Sequence, residues 1–218
     1  MTPRKPSQER FVRCPFTILI DTAEPDHYYW RFRGIRADAD RSDAIFMVPI
    51  QRASLGRHPN SLGDYSLAGG FGSCAIERKS KQDAWGTILG WQSGWEADRD
   101  LPGRRDRFEA ELANLNEIDC SVVIVEATLG TLVVDAPQWG VKPGWLNGKI
   151  FVRSVLSYQQ RFPRVQWLFC DTPEMAETLA FRWLYRYWEK NLKDKGDTEW
   201  DTTRKTLDSR RPADGRRF

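Results

Sequence analysis

Asp64, Glu77 and Lys79 combine side-chain types and spacing that suit hydrolysis of an anionic substrate. Asp64 falls in Gly-Asp-Tyr, and after eleven residues of hairpin-like sequence Glu77 and Lys79 follow in Ile-Glu-Arg-Lys, at the end of a β-branched run. On a strand, residues two apart emerge on the same face, so Glu77 and Lys79 share one side of a sheet and Asp64 can meet them across the turn. Two hard carboxylate oxygens suit Mg²⁺ or Mn²⁺, which keeps its remaining positions for water and a phosphate oxygen. A lysine beside them adds positive charge where a phosphate and an attacking hydroxide would sit. An ordinary surface hairpin with one acid and an Arg-Lys pair carries the same residues, so the elements that position them decide between the two.

Those elements read as alternating strands and helices. Residues 16–20 and 44–50 predict buried strands, and Leu67 with residues 73–78 predicts a hairpin around Gly69, Gly70 and Gly72. Residues 104–118 predict a helix, because Phe108, Leu112 and Leu115 recur at i, i+4 and i+7. Residues 122–125 and 165–169 predict further buried strands, separated by a helix over 148–161. A last helix is expected to start at Thr172 as cap with Pro173 in its first turn, and to run to about Leu192. The alternation predicts an α/β sandwich.

Asp21-Thr22-Ala23-Glu24 follows the first apolar run. Gly63-Asp64-Tyr65-Ser66-Leu67 comes next, and Ala75-Ile76-Glu77-Arg78-Lys79-Ser80-Lys81-Gln82-Asp83 closes the set. The D…ExK layout is that of metal-dependent phosphodiesterases. The ordered set resembles the nuclease domain of XPF-type structure-specific endonucleases, whose signature is Asp-x-Arg-Glu, Gly-Asp-Tyr, then Glu-Arg-Lys-x-x-x-Asp. Downstream, Arg107-Phe108-x-x-Glu111-Leu112 is similar to the family's Arg-Leu-x-x-Gln, and the strand 121–125 ends in Glu126, as the family's next strand usually ends in Glu. The resemblance covers roughly residues 16–170.

It implies an α/β, restriction-endonuclease-like (PD-(D/E)xK) three-layer core with a central mixed β-sheet flanked by helices. The implied activity is that of a Mg²⁺-dependent DNA endonuclease, acting on branched, flap or single-strand-containing DNA in repair or recombination. Carried over residue by residue, Asp64, Glu77 and the carbonyl of Arg78 hold the metal, with Asp21 or Glu24 as a further carboxylate. Lys79 orients the attacking water or neutralises the phosphorane, and Asp83 positions Lys79 or Arg78. Arg78 itself is either catalytic and DNA-contacting or structural, because on an ideal strand it points opposite to Glu77.

Three departures stand out: Ala23 replaces the arginine of the first motif, Glu111 stands where the family has Gln, and extra sequence lies between Ile88 and Arg107. In that insertion Trp91 and Trp95, beside Arg104 and Arg105, suit stacking on unpaired bases and contact with phosphates, with Arg107 and Arg78 as further DNA contacts. A locally packed loop is the alternative. No Gly-x-x-x-x-Gly-Lys-Ser/Thr loop exists for ATP, and the 28 residues after Lys190 are too few for the helix-hairpin-helix modules that family members append. Two other functions stay open: a catalytically degenerate DNA-binding or scaffold subunit, for which Ala23 argues, and a restriction-type or junction-resolving nuclease.

At 218 residues and 40% hydrophobic composition, the chain can bury a core of ordinary size. No apolar run approaches the roughly 18 residues of a membrane span, and residues 1–13 lack a signal-peptide core, so a soluble cytoplasmic protein is expected. Cys14, Cys74, Cys120 and Cys170 are far apart, with no C-x-x-C and only His27 and His58 to help. They read as reduced thiols rather than a zinc site. Of the net charge of +3, residues 1–13 carry +3 and residues 193–218 carry +2, which leaves −2 for the body. A near-neutral body with grouped acids and basic ends fits a nucleic-acid enzyme. The expected organisation is a basic tail over 1–13, the nuclease domain over 14–192, and a charged, disordered tail over 193–218. Phe181, Trp183, Leu184, Tyr185, Tyr187 and Trp188 crowd the last helix beyond one ordinary stripe, which suits core packing or a partner surface; the resemblance implies a homodimer through this helix.

Overall fold

Apolar runs and turn residues fix the order of the elements. The computed structural model describes residues 10–37, 44–56, 60–90, 103–138 and 143–193. Trp91, Trp95, the first nine residues and the last tail beyond Lys193 lie outside the described residues. In chain order the elements are β1 (Arg10–Arg13), β2 (Ile18–Asp21), β3 (Ala44–Met47), β4 (Ile50–Ala53), β5 (Tyr65–Leu67), β6 (Cys74–Lys79) and α1 (Lys81–Ile88). They continue with α2 (Arg104–Asn116), β7 (Cys120–Val125), α3 (Leu129–Val134), α4 (Gly144–Arg161), β8 (Val165–Phe169) and α5 (Pro173–Asn191).

Six strands form the central sheet in the order β4-β2-β5-β6-β7-β8. β5 runs antiparallel to both β2 and β6, while β2 with β4 and β6 with β7 and β8 are parallel, so the sheet is mixed. β2 and β7 are almost wholly buried along their length, as strands covered on both faces must be. On one face Ile18, Ile20, Tyr65, Ile76, Val122 and Ile124 pack against Ala176, Ala180, Phe181 and Leu184 of α5. On the other, Ala75, Val123 and Val125 meet Ala84 and Ile88 of α1, Phe108, Leu112 and Leu115 of α2, and Phe151, Val155 and Tyr158 of α4. The result is an α/β fold with helices on both faces of a mixed sheet, a three-layer arrangement.

The single strand expected over 44–50 is two strands. Pro49 has no N–H to continue a ladder. The chain therefore pairs β3 with β1 before the break and β4 with β2 after it. Arg10–Arg13, expected as the end of a basic tail over 1–13, pairs in register with Ala44–Met47 and belongs to the fold. Thr172 caps α5 as expected, its hydroxyl accepting from the Met175 amide at 3.2 Å, and α4 starts at Gly144, four residues before the expected Gly148, with Pro143 at its N-cap. The aromatics of α5 divide. Phe181 stacks on Phe16 at 5.8 Å, and Tyr185 and Trp188 close around the same ring at 6.1 and 5.9 Å, which places them in core packing. Among the described residues no helix is long and apolar enough to cross a membrane.

Candidate active site

The hairpin that carries the acids is set by Gly63. Its φ of +83° is a conformation that L side chains rarely adopt, and a Cβ there would lie 2.7 Å from the Ile76 carbonyl. This close approach lets the Asp64 amide donate to the Ile76 carbonyl at 2.8 Å and puts Tyr65 in register with Ile76. Asp64 and Glu77 then fall on the opposite face from those two, the face of Ala75 and Val123. The Arg78 amide donates to Asp64 Oδ2 at 2.7 Å and fixes the carboxylate beside the strand.

Glu77 and Lys79 are 2% and 8% exposed. Lys79 Nζ is paired with Glu77 Oε1, lies 3.4 Å from Asp83 Oδ2 and sits 5.0 Å from the centre of the Phe108 ring. Asp83 is held by the start of α1, where the Ser80 hydroxyl accepts from its amide at 3.2 Å and Thr87 Oγ1 donates to its Oδ1 at 3.3 Å. Of the two roles open to Asp83, the geometry gives it Lys79 rather than Arg78.

A fourth acid enters from α2. Glu111, one turn beyond Phe108, accepts from the Ser61 hydroxyl at 2.9 Å, and Asn114 Nδ2 donates to the Ser61 carbonyl at 3.2 Å. Its charge bears on all three central groups. Burial, aided by the charges of Asp64 and Glu111, pushes the Glu77 carboxyl well above its ordinary range. Burial likewise pushes Asp64 up, with Glu24 and Glu111 adding to it and Lys79 opposing. Burial works against the Lys79 ammonium, yet Glu77, Glu111, Asp83 and Asp64 outweigh it and hold the group charged. From sequence Glu111 is visible only as a departure from Gln; its signal is its place three residues after Phe108 on the inward stripe of α2.

Arg78 is turned away from this cluster. Its Nε donates to Glu126 Oε1 at 2.7 Å and its Nη2 to Glu126 Oε2 at 3.2 Å, Glu24 Oε2 lies 3.3 Å from Nη1, and the guanidinium sits 5.3 Å from the Trp30 ring centre. Trp30 Nε1 donates to the same Glu126 Oε1 at 2.8 Å. Of the two roles open to Arg78, catalytic and DNA-contacting or structural, the geometry favours the structural one: its fork pairs with two carboxylates on the other face of the sheet, because alternation along β6 sends it opposite to Glu77. Glu24, expected as a further metal ligand, is taken up in the same pairing. Asp21 serves the chain leaving β2, its Oδ1 accepting from the Ala23 amide at 2.8 Å and its Oδ2 from the Leu55 amide at 3.3 Å. Beside Ala23, Arg52 of β4 donates from Nη2 to the Thr22 carbonyl at 3.0 Å.

The basic residues of α2 also separate. Arg105 pairs with Glu109 at 3.1 Å and lies 5.9 Å from the Tyr158 ring centre, the Arg104 guanidinium approaches Gly86 of α1, and Arg107 stands one turn before Glu111.

Among the described residues no three His, Cys, Asp or Glu side chains are grouped closely enough to hold a metal ion. The pair Asp64 and Glu77 nevertheless suits Mg²⁺, which binds through one or two carboxylates and keeps several waters. Both are hard oxygen donors raised by burial and neighbouring negative charge, and Glu77 Oε2 is buried with no hydrogen-bond partner. No family model, curated protein or solved structure matches this chain.

Proposed function

We propose that this protein is a Mg²⁺-dependent DNA endonuclease with a restriction-endonuclease-like core, acting in the cytoplasm on branched or single-strand-containing DNA. The observation that carries the reading is the convergence of Asp64, Glu77 and Lys79 on one face of the sheet, with Glu77 Oε2 buried and unpartnered. Asp64 and Glu77, with the Arg78 carbonyl, would hold the ion. The chemistry that Mg²⁺ supplies when bound is polarisation of a phosphate oxygen and acidification of a coordinated water. Lys79, its ammonium kept charged by four surrounding carboxylates, neutralises negative charge that develops on the phosphorane. Asp83 acts through Lys79 as a positioning residue, and Glu111 raises the proton affinity of both metal-facing acids.

The scaffold reading has one observation in its favour: Lys79 already neutralises one oxygen of Glu77. One experiment separates the two. Labelled single-stranded, duplex, flap and fork DNA are incubated with the protein in Mg²⁺, Mn²⁺, Ca²⁺ or EDTA. Cleavage is expected in Mg²⁺ and Mn²⁺, weak in Ca²⁺ and absent in EDTA. Full activity in EDTA would refute the metal mechanism, and binding without cleavage of any form would establish the scaffold.

A further inference from the structure

Cys74 and Cys120 have no part in the site above. They are register partners on the adjacent parallel strands β6 and β7. Neighbouring strands lie about 4.8 Å apart, inside the roughly 4.4–6.8 Å that separates the Cα atoms of disulfides. Both thiols face α5: Cys74 is fully buried in that core and Cys120 packs against it. The two differ in access. Cys120 is half-buried and opens onto a groove of about 590 Å³ along α5, lined by Leu168, Leu179, Trp183, Tyr187 and Lys190.

We propose that Cys120 and Cys74 form a peroxide-reactive dithiol, in which Cys120 is oxidised from the groove and buried Cys74 resolves it as an intramolecular disulfide. The neighbouring Cys74 thiol holds the Cys120 thiol below its ordinary range, with Lys190 assisting and burial and Asp119 opposing, and the thiolate is the reactive form. A lone pair on Cys120 Sγ attacks one oxygen of a hydroperoxide. The O–O bond breaks, and the leaving oxygen takes a proton and departs as water, or as an alcohol from an organic peroxide. Cys74 then loses its proton to the departing hydroxide as its sulfur attacks Cys120 Sγ; the S–S bond forms, the S–O bond breaks and a second water leaves. Two thiols are oxidised by two electrons and one peroxide is reduced. Cys14 and Cys170 serve as internal references, each with its thiol pushed up to about 11 by burial.

The test treats the full chain with graded hydrogen peroxide, blocks remaining thiols with N-ethylmaleimide, and maps non-reduced peptides by mass spectrometry. The expected product has lost the mass of two hydrogens, carries a peptide linking Cys74 to Cys120, retains alkylatable Cys14 and Cys170, and reverts in dithiothreitol. The variant Cys74→Ala should stop at a sulfenic acid on Cys120 that dimedone captures, and Cys120→Ser should abolish cross-linking. Sulfinic or sulfonic acid on Cys120 with Cys74 still alkylatable would overturn the proposal. So would equal oxidation of Cys14 or Cys170, or a disulfide between two chains. If Cys74→Ala does not fold, the peptide map of the parent decides alone. No part of this outcome depends on nuclease activity.

Discussion

Glu77 gives one carboxylate oxygen to Lys79 and keeps the other buried with no hydrogen-bond partner. A desolvated, half-satisfied carboxylate costs stability unless something else supplies positive charge. The lysine supplies part of it, and a second cation at Oε2 would complete it. This makes Glu77 the most informative residue to neutralise. Glu77→Gln keeps side-chain volume and removes the charge. It is expected to fold and to lose Mg²⁺-dependent cleavage by on the order of a hundredfold or more, as Asp64→Asn should. Gel-based cleavage on the preferred DNA checks this, and parent-like rates in either variant would remove these acids from the mechanism.

Lys79 has a measurable structural role beside its chemical one. Lys79→Met leaves Glu77 buried without its partner and is expected to destabilise the fold by about 3 kcal/mol. The double variant Glu77→Gln/Lys79→Met should recover much of that loss, because no uncompensated charge remains. Urea denaturation of the parent, both single variants and the double variant gives the coupling. Simple additivity would mean that the two side chains do not pair in solution.

The pH dependence follows from the raised acids. The carboxyls of Asp64 and Glu77 sit above their ordinary values of about 3.9 and 4.3. The folded state therefore binds more protons than the unfolded state between those values and the raised ones. Their contribution to stability is full below the ordinary values and is lost as pH rises through the raised ones. Mg²⁺ needs the deprotonated forms, so its stabilising effect should run the other way and grow with pH. Thermal melts in EDTA and in Mg²⁺ from pH 5 to pH 8 test both signs; a Mg²⁺ effect independent of pH would show that the ion does not bind these acids.

How far the site can be read from sequence depends on the range of the contacts. Glu77 and Lys79 share a face because strand alternation is local, and Gly63 turns Asp64 toward them within the same hairpin. Pro49 was an equally local signal, and it divides the strand expected over 44–50. Glu111 was not legible in this way. Its inward aim depends on how α2 packs against α1, β7 and β8, a tertiary fact, and the Arg78 pair with Glu126 joins residues 48 apart in sequence. β1 was missed because four residues, two of them arginine, give too little pattern to separate an edge strand from a tail.

The placement of Arg78 makes a structural role testable. Arg78→Ala leaves Glu126 buried without its bidentate partner, a cost on the order of 3 kcal/mol. The folded fraction should still cleave at saturating DNA with a kcat near that of the parent. Arg78→Lys should recover little stability, since a point charge cannot reproduce the fork. A folded Arg78→Ala protein with kcat lowered a hundredfold would return Arg78 to the chemistry.

Glu111→Gln keeps the side-chain shape and isolates the effect of one charge. The amide oxygen can still accept from Ser61, so α2 should stay seated against the hairpin. What disappears is a negative charge that raises both Asp64 and Glu77. The two acids should then ionise at lower pH, and the acid limb of the Mg²⁺-dependent rate profile should move toward lower pH. Because Glu111 is not assigned to the metal, kcat on the alkaline plateau should stay within about tenfold of the parent. Losing one neighbour also removes part of the field that keeps Lys79 charged, but Glu77, Asp83 and Asp64 remain around it, so the plateau should not fall at its alkaline end. A complete loss of cleavage with the fold intact would make Glu111 a direct metal or water ligand, and an unmoved profile would place its charge outside the site.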